Sequence, residues 1–206
     1  MSLFEIVAKG GFMIIPILIC SILSIAILVE RLLALRKMEI NARTFIMKIR
    51  GMVFNNRITE AIMLCKKTPG PVAKITKAAL EKHERPRIEI KEAVESAGKV
   101  EIFNLEKNLG VLGTIAAIAP LLGFLGTVTG MIKAFMRIQS LGGNVDANVL
   151  AGGIWEALVT TAAGLAVGIP TIIFYNWLQT KVEKFVFEME DSSVTIVDMI
   201  IEKGER

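Results

Sequence analysis

The sequence predicts an all-α integral membrane protein with three transmembrane helices and long helical cytoplasmic extensions, and three observations carry that prediction. The chain of 206 residues is 53% hydrophobic with a mean hydropathy of +0.57, which a soluble domain of this size rarely reaches. Residues 10–29, 108–132 and 157–180 contain no charged side chain, and each window meets the roughly 20 residues that cross a hydrocarbon core about 30 Å thick. Basic residues are also lopsided: 17 of the 24 lie at positions 31–107 and four more follow Tyr175, while residues 139–148 carry none. By the positive-inside rule the N-terminus lies outside, residues 35–108 inside, a short loop outside and the C-terminus inside. Lys133 and Arg137 stand against this imbalance at the outer end of the second span, where long side chains can snorkel to the headgroups.

The elements follow in order. Residues 1–11 read as an amphipathic segment at the outer interface. Transmembrane helix 1 is expected over 12–34; Lys9 is the only basic residue ahead of it and Glu30-Arg31 follow its apolar core, so it reads as a retained anchor rather than a signal peptide. The cytoplasmic region spans 35–108. Leu35, Met38, Ala42, Phe45 and Ile49 keep helical spacing, so helix is expected to run on towards Arg50. A short helix over 57–67 is closed by Thr68-Pro69-Gly70-Pro71, and Pro71 can open the next. From Arg87 the apolar stripe Ile90, Ala93, Val94, Ala97, Glu101, Leu105 and Leu109 predicts one unbroken helix that becomes the second span, 109–137. A periplasmic loop at 138–149 leads to the third span, 150–178. The C-terminal helix, 179–206, carries the stripe Val182, Phe185, Val186, Met189, Ser193, Ile196 and Ile200. Such stripes must be buried, within the chain or against neighbouring copies.

Glu156 is the residue that points to function. No other charge follows it until Lys181, and a carboxylate within a membrane helix costs roughly 2.5–3.5 kcal/mol on insertion scales. A carboxyl group facing protein or water there can take up and release a proton; the alternatives are a neutral or hydrogen-bonded carboxyl acting as interhelical glue, or a merely interfacial position. Thr160 shares its helical face, and Thr161 an adjacent one. Thr127, Thr129, Thr160 and Thr161 either bond their own backbone or line a wet path. Gly123, Gly126 and Gly130 on the second span, and Gly164 and Gly168 on the third, let helices approach closely, either within the chain or between subunits around a pore.

Other classes find little support. The single histidine, His83, sits in a charged run, and there is no metal-ligand cluster, P-loop or nucleophile elbow in the sequence; no enzymatic activity and no cofactor are expected. The net charge of +4 reflects orientation and anionic lipid rather than nucleic acid. Cys20 and Cys65 fall on different sides of a membrane boundary and are not expected to pair.

The stretch Ala119-Pro120-Leu121-Leu122-Gly123-Phe124-Leu125-Gly126-Thr127-Val128-Thr129-Gly130-Met131 is followed by Ala151-Gly152-Gly153-Ile154-Trp155-Glu156-Ala157-Leu158. Thr161-Ala162-Ala163-Gly164-Leu165-Ala166-Val167-Gly168-Ile169-Pro170 comes next, with Tyr175-Asn176 beyond it. Together they closely resemble the ExbB/TolQ/MotA proton-channel family, and three spans favour its ExbB/TolQ branch. The resemblance implies a pentamer, a homo-oligomeric bundle in the bacterial inner membrane around a central pore. That pore would hold an ExbD- or TolR-like single-span protein with a membrane aspartate. Proton flow would then energise a TonB- or TolA-like partner for outer-membrane transport or envelope maintenance. It further implies that the family's membrane glutamate is Glu156 and its pore threonines are Thr127 and Thr161. Thr129 departs from the tryptophan that relatives often carry there.

Overall fold

The computed structural model of the chain describes residues 11–140 and 147–204, and every regular element among these is a helix. The helices are α1 (Ile14–Met38), α2 (Ala42–Phe54), α3 (Ile58–Lys67), α4 (Pro71–Glu81), α5 (Arg87–Glu106), α6 (Leu109–Ser140) and α7 (Ala147–Gly204). Three of them are long and apolar enough to cross a membrane. Only 17%, 33% and 28% of their most apolar windows are buried within the chain, so most of that surface must meet lipid or other chains. The chain divides into two compact units: the chain up to Val29 with Asn108–Trp177, and Glu30–Lys107 with Leu178 onwards. The first holds nearly all of the charge-free sequence and the second most of the charge, which is the division that a bilayer imposes on a chain. The outer-interface segment expected at residues 1–11 lies outside the described residues except for Gly11, as does most of the loop expected at 138–149.

Two helices expected to be continuous are broken. Helix does not run from the first span to Arg50: α1 ends at Met38, and Asn41 accepts a hydrogen bond from the Thr44 amide at 2.9 Å, starting α2 afresh. An asparagine with extended backbone at that position satisfies an amide that the preceding helix cannot. Nor is the helix from Arg87 unbroken into the second span. Lys107 turns to an extended conformation and Asn108 takes φ 63°, between α5 and α6. Asparagine tolerates the left-handed region better than most residues, so one residue redirects the chain while the apolar spacing stays in register on both sides.

Other boundaries follow from local chemistry. Gly70 has φ 104°, and a Cβ there would stand 2.6 Å from the Met38 carbonyl oxygen, so glycine is required just before Pro71 opens α4. Pro120 and Pro170 lie inside α6 and α7, as membrane helices tolerate when neighbours compensate the lost amide. α7 is continuous for 58 residues, about 87 Å at 1.5 Å per residue, in line with the expected run from the third span into the C-terminal helix.

The stripes are buried within the chain in the charged unit. Ile90, Val94 and Leu105 of α5, and Val182, Phe185, Met189, Ile196 and Ile200 of α7, are all buried. α3 packs on α4 and α4 on α5. Glu101 lies buried on the α5 stripe and accepts from Lys74 Nζ at 2.7 Å, which offsets the cost of desolvating a carboxylate. The buried Arg31 guanidinium donates to the Asn104 carbonyl at 3.1 Å and pairs with Glu30.

Candidate functional site: the Glu156 end of the membrane unit

Close contact between α6 and α7 sets the geometry of the site. A Cβ on Gly123 would lie 2.9 Å from the Thr160 carbonyl oxygen, and one on Gly164 would lie 2.6 Å from the Ala119 carbonyl oxygen. Gly168 faces Pro120 Cγ at 2.5 Å by the same measure, and Gly130 faces Ala157 at 3.3 Å. Real Cβ atoms do not sit that near a neighbouring backbone, so the two helices touch main chain to main chain along this line. These contacts lie within one chain.

That approach brings two of the threonines together. The Thr127 and Thr161 hydroxyls hydrogen-bond to each other, and both reach the Gly123 carbonyl, at 3.3 and 3.0 Å. Thr160 faces elsewhere: it is buried in the notch left by Gly126, and its hydroxyl donates back to Ala157 O at 2.8 Å and Glu156 O at 3.2 Å. Thr129 likewise bonds Gly126 O at 3.1 Å. Thr161 and Thr127 thus form the hydroxyl pair across the helices, while Thr160 and Thr129 satisfy their own backbones.

Glu156 stands on α7 one turn beyond Thr160. Its Oε1 accepts from Lys133 Nζ on α6 at 2.8 Å. The Glu156 side chain is 26% exposed and that of Lys133 59%. On another side, the carboxylate presses against Gly11, where even a methyl group would overlap Oε1. Gly11 has φ 65° just ahead of α1. The turn ahead of the first span and the helices of the second and third therefore meet at one carboxylate. No His, Cys, Asp or Glu cluster among the described residues could hold a metal ion.

Lys133 and Gly11 were not singled out as site residues from the sequence. What places Lys133 there is the packing of the two helices. Gly130 packs against Ala157, so the residue three further along α6 falls level with Glu156. A second feature of this unit is a cavity of about 200 Å³ beside Ser21, Ser24, Leu112, Pro170, Thr171 and Phe174; the hydroxyls of Ser24 and Thr171 are bonded to their own helices, at 2.9 and 2.6 Å.

Three long apolar helices, with a close glycine seam, an interhelical threonine pair and a carboxylate on the third, make this an all-helical, multi-pass membrane protein. The sequence pattern of the MotA/TolQ/ExbB proton channel family matches residues 67–191, and the chain belongs to that family, in its ExbB/TolQ branch. A biopolymer transport protein ExbB homolog of Methanothermobacter thermautotrophicus is 30% identical over 190 residues, covering 92% of this chain and 67% of the relative. Biopolymer transport protein ExbB-like 3 of Synechocystis sp. is 32% identical over 81% of this chain and 80% of its own length. The Tol-Pal system protein TolQ of Haemophilus influenzae is 38% identical over 90 residues, 44% of this chain and 39% of the relative. The protein is thus a multi-pass membrane protein of a proton-channel family.

Proposed function

We propose that the chain is an ExbB-like, non-enzymatic subunit of an inner-membrane proton-driven motor. Copies of it, five by family resemblance, surround a central pore that holds an ExbD- or TolR-like single-span protein, and the assembly energises a TonB-type protein for outer-membrane transport. The N-terminus lies in the periplasm and the C-terminus in the cytoplasm. The observation that carries this reading is the Glu156 carboxylate, partly open to solvent at one end of a membrane unit that also holds the interhelical Thr127–Thr161 pair. A proton entering from outside is taken up by Glu156 and passed towards that pair and the partner's carboxylate. Each charge crossing 100 mV releases about 2.3 kcal/mol, so a few protons per step supply useful work.

Proton flux tests it, in liposomes holding this chain and an ExbD-type partner, wild type beside Glu156→Gln, both shown first to have the same oligomer size. Loss of flux in the variant alone is the expected result; unchanged flux removes Glu156 from the path. A TolQ-like role in envelope maintenance draws on the TolQ match. A non-conducting scaffold draws on the Lys133–Glu156 bond, which can serve as glue between helices. The scaffold predicts no flux in either sample and poorer assembly of the glutamine variant.

A further inference from the structure

We propose that Lys133 is the resident counter-ion of Glu156 and makes the path selective for protons by keeping alkali cations off that carboxylate. The inference rests on the reading of Glu156 as a proton-path residue and adds what decides which cation can use it. The argument begins with the place of the ammonium. Nζ lies 2.8 Å from Oε1, at the position that a cation bound to this carboxylate would occupy. The Gly11 backbone approaches the same oxygen from another side.

An alkali cation leaving water must replace its hydration shell with several oxygens. Among the described residues Glu156 belongs to no group of three or more His, Cys, Asp or Glu side chains that could hold a metal ion. The nearest hydroxyl along its own helix, that of Thr160, is buried and turned to backbone carbonyls. Sodium would have to expel a tethered ammonium to reach that carboxylate; with the ammonium gone, the partly exposed carboxylate and the water around it could supply those oxygens. A proton has no such requirement. It breaks one O–H bond in a donor hydronium and forms one on Glu156, which becomes neutral. The flexible stem of Lys133, with 59% of the side chain exposed, lets the ammonium swing to water while the carboxyl is neutral. When the proton leaves towards the pore, the ammonium returns. Among the described residues, Lys133 of α6 is the charged group that bonds Glu156.

The test compares wild type, Lys133→Met, Lys133→Arg and Glu156→Gln in the liposomes described above, with external sodium chloride exchanged for choline chloride at equal ionic strength. Wild type and Lys133→Arg should carry protons equally in either salt and take up no radioactive sodium. In Lys133→Met, sodium should lower proton flux several-fold and sodium uptake should appear. A readout independent of transport accompanies it: sodium over choline should raise the melting temperature of Lys133→Met in detergent and leave wild type unmoved, because a ligand that binds only the folded state stabilises it. Sodium sensitivity in wild type overturns the inference, as does a Lys133→Met protein insensitive to sodium in both assays. If Lys133→Met does not assemble, Lys133→Gln replaces it, and failure of both would make the lysine a packing residue and reject its role in selectivity. The two readings fail separately. Flux retained in Glu156→Gln defeats the proton-path reading, whereas flux lost there with Lys133→Met identical to wild type defeats only the selectivity role.

Discussion

Residues in this chain are told apart by what each polar group can reach. Thr160 and Thr161 are neighbours, yet one closes on its own helix while the other reaches across to Thr127 and the Gly123 carbonyl. Glu156 would be costly in lipid, and the Lys133 ammonium together with partial solvent access lowers that cost. Cys65 is the opposite case, a thiol on which burial outweighs the opposed charges of Glu81 and Lys77. It is buried on α3, and desolvation pushes its pKa up from 9.0 to about 12. Because the thiolate is the nucleophile, Cys65 should resist N-ethylmaleimide in the native protein at neutral pH and react on unfolding, read by mass in a Cys20→Ser background. Rapid native labelling would contradict that burial. The sign for stability follows: the unfolded thiol ionises first as pH rises through 9 and the folded one only near 12, so this contribution is whole below pH 9 and lost between those values.

Among elements, the α6–α7 seam leaves the least freedom. Gly164→Val places side-chain atoms against the Ala119 carbonyl and the Gly123 backbone, neither of which can rotate away, so the helices must part. Overpacking of this kind costs about 1–3 kcal/mol and should appear as a lower melting temperature in detergent. Gly98→Ala on α5 is the contrasting variant, since a Cβ there meets nothing within 4 Å; helix propensity alone should raise stability by roughly 0.5–1 kcal/mol. Equal behaviour of the two variants would show that the seam is not tightly packed. The periodicity of the sequence made the helices legible, including the single run from the third span into the C-terminal helix. It did not reveal the breaks at residues 39–41 and 107–108. Ile90, Leu105 and Leu109 stay in helical register across the second break, and neither proline nor glycine marks it; one asparagine cap and one left-handed asparagine suffice.

For the whole molecule, the division of charge makes a prediction about sidedness. Lys and Arg are concentrated in the unit of Glu30–Lys107 with Leu178 onwards, and the positive-inside rule places that unit in the cytoplasm. Phe103 is 76% exposed in it. A cysteine at that position, in a chain freed of Cys20 and Cys65, should react with an impermeant maleimide in inside-out vesicles and not in intact spheroplasts. The reverse pattern would invert the topology and with it the direction of proton entry at Glu156.

Three spans, a charged portion outside the membrane and one membrane carboxylate were determined by the sequence alone, because apolar length and charge decide which solvent each segment can occupy, whatever its neighbours. Only the tertiary structure decided that Thr127 meets Thr161, that Thr160 turns away, and that Lys133 and Gly11 close on Glu156. Those pairings depend on the axial register of one helix against another. Close contacts at Gly123, Gly126, Gly164 and Gly168 set that register, and the periodicity of a single helix does not contain it.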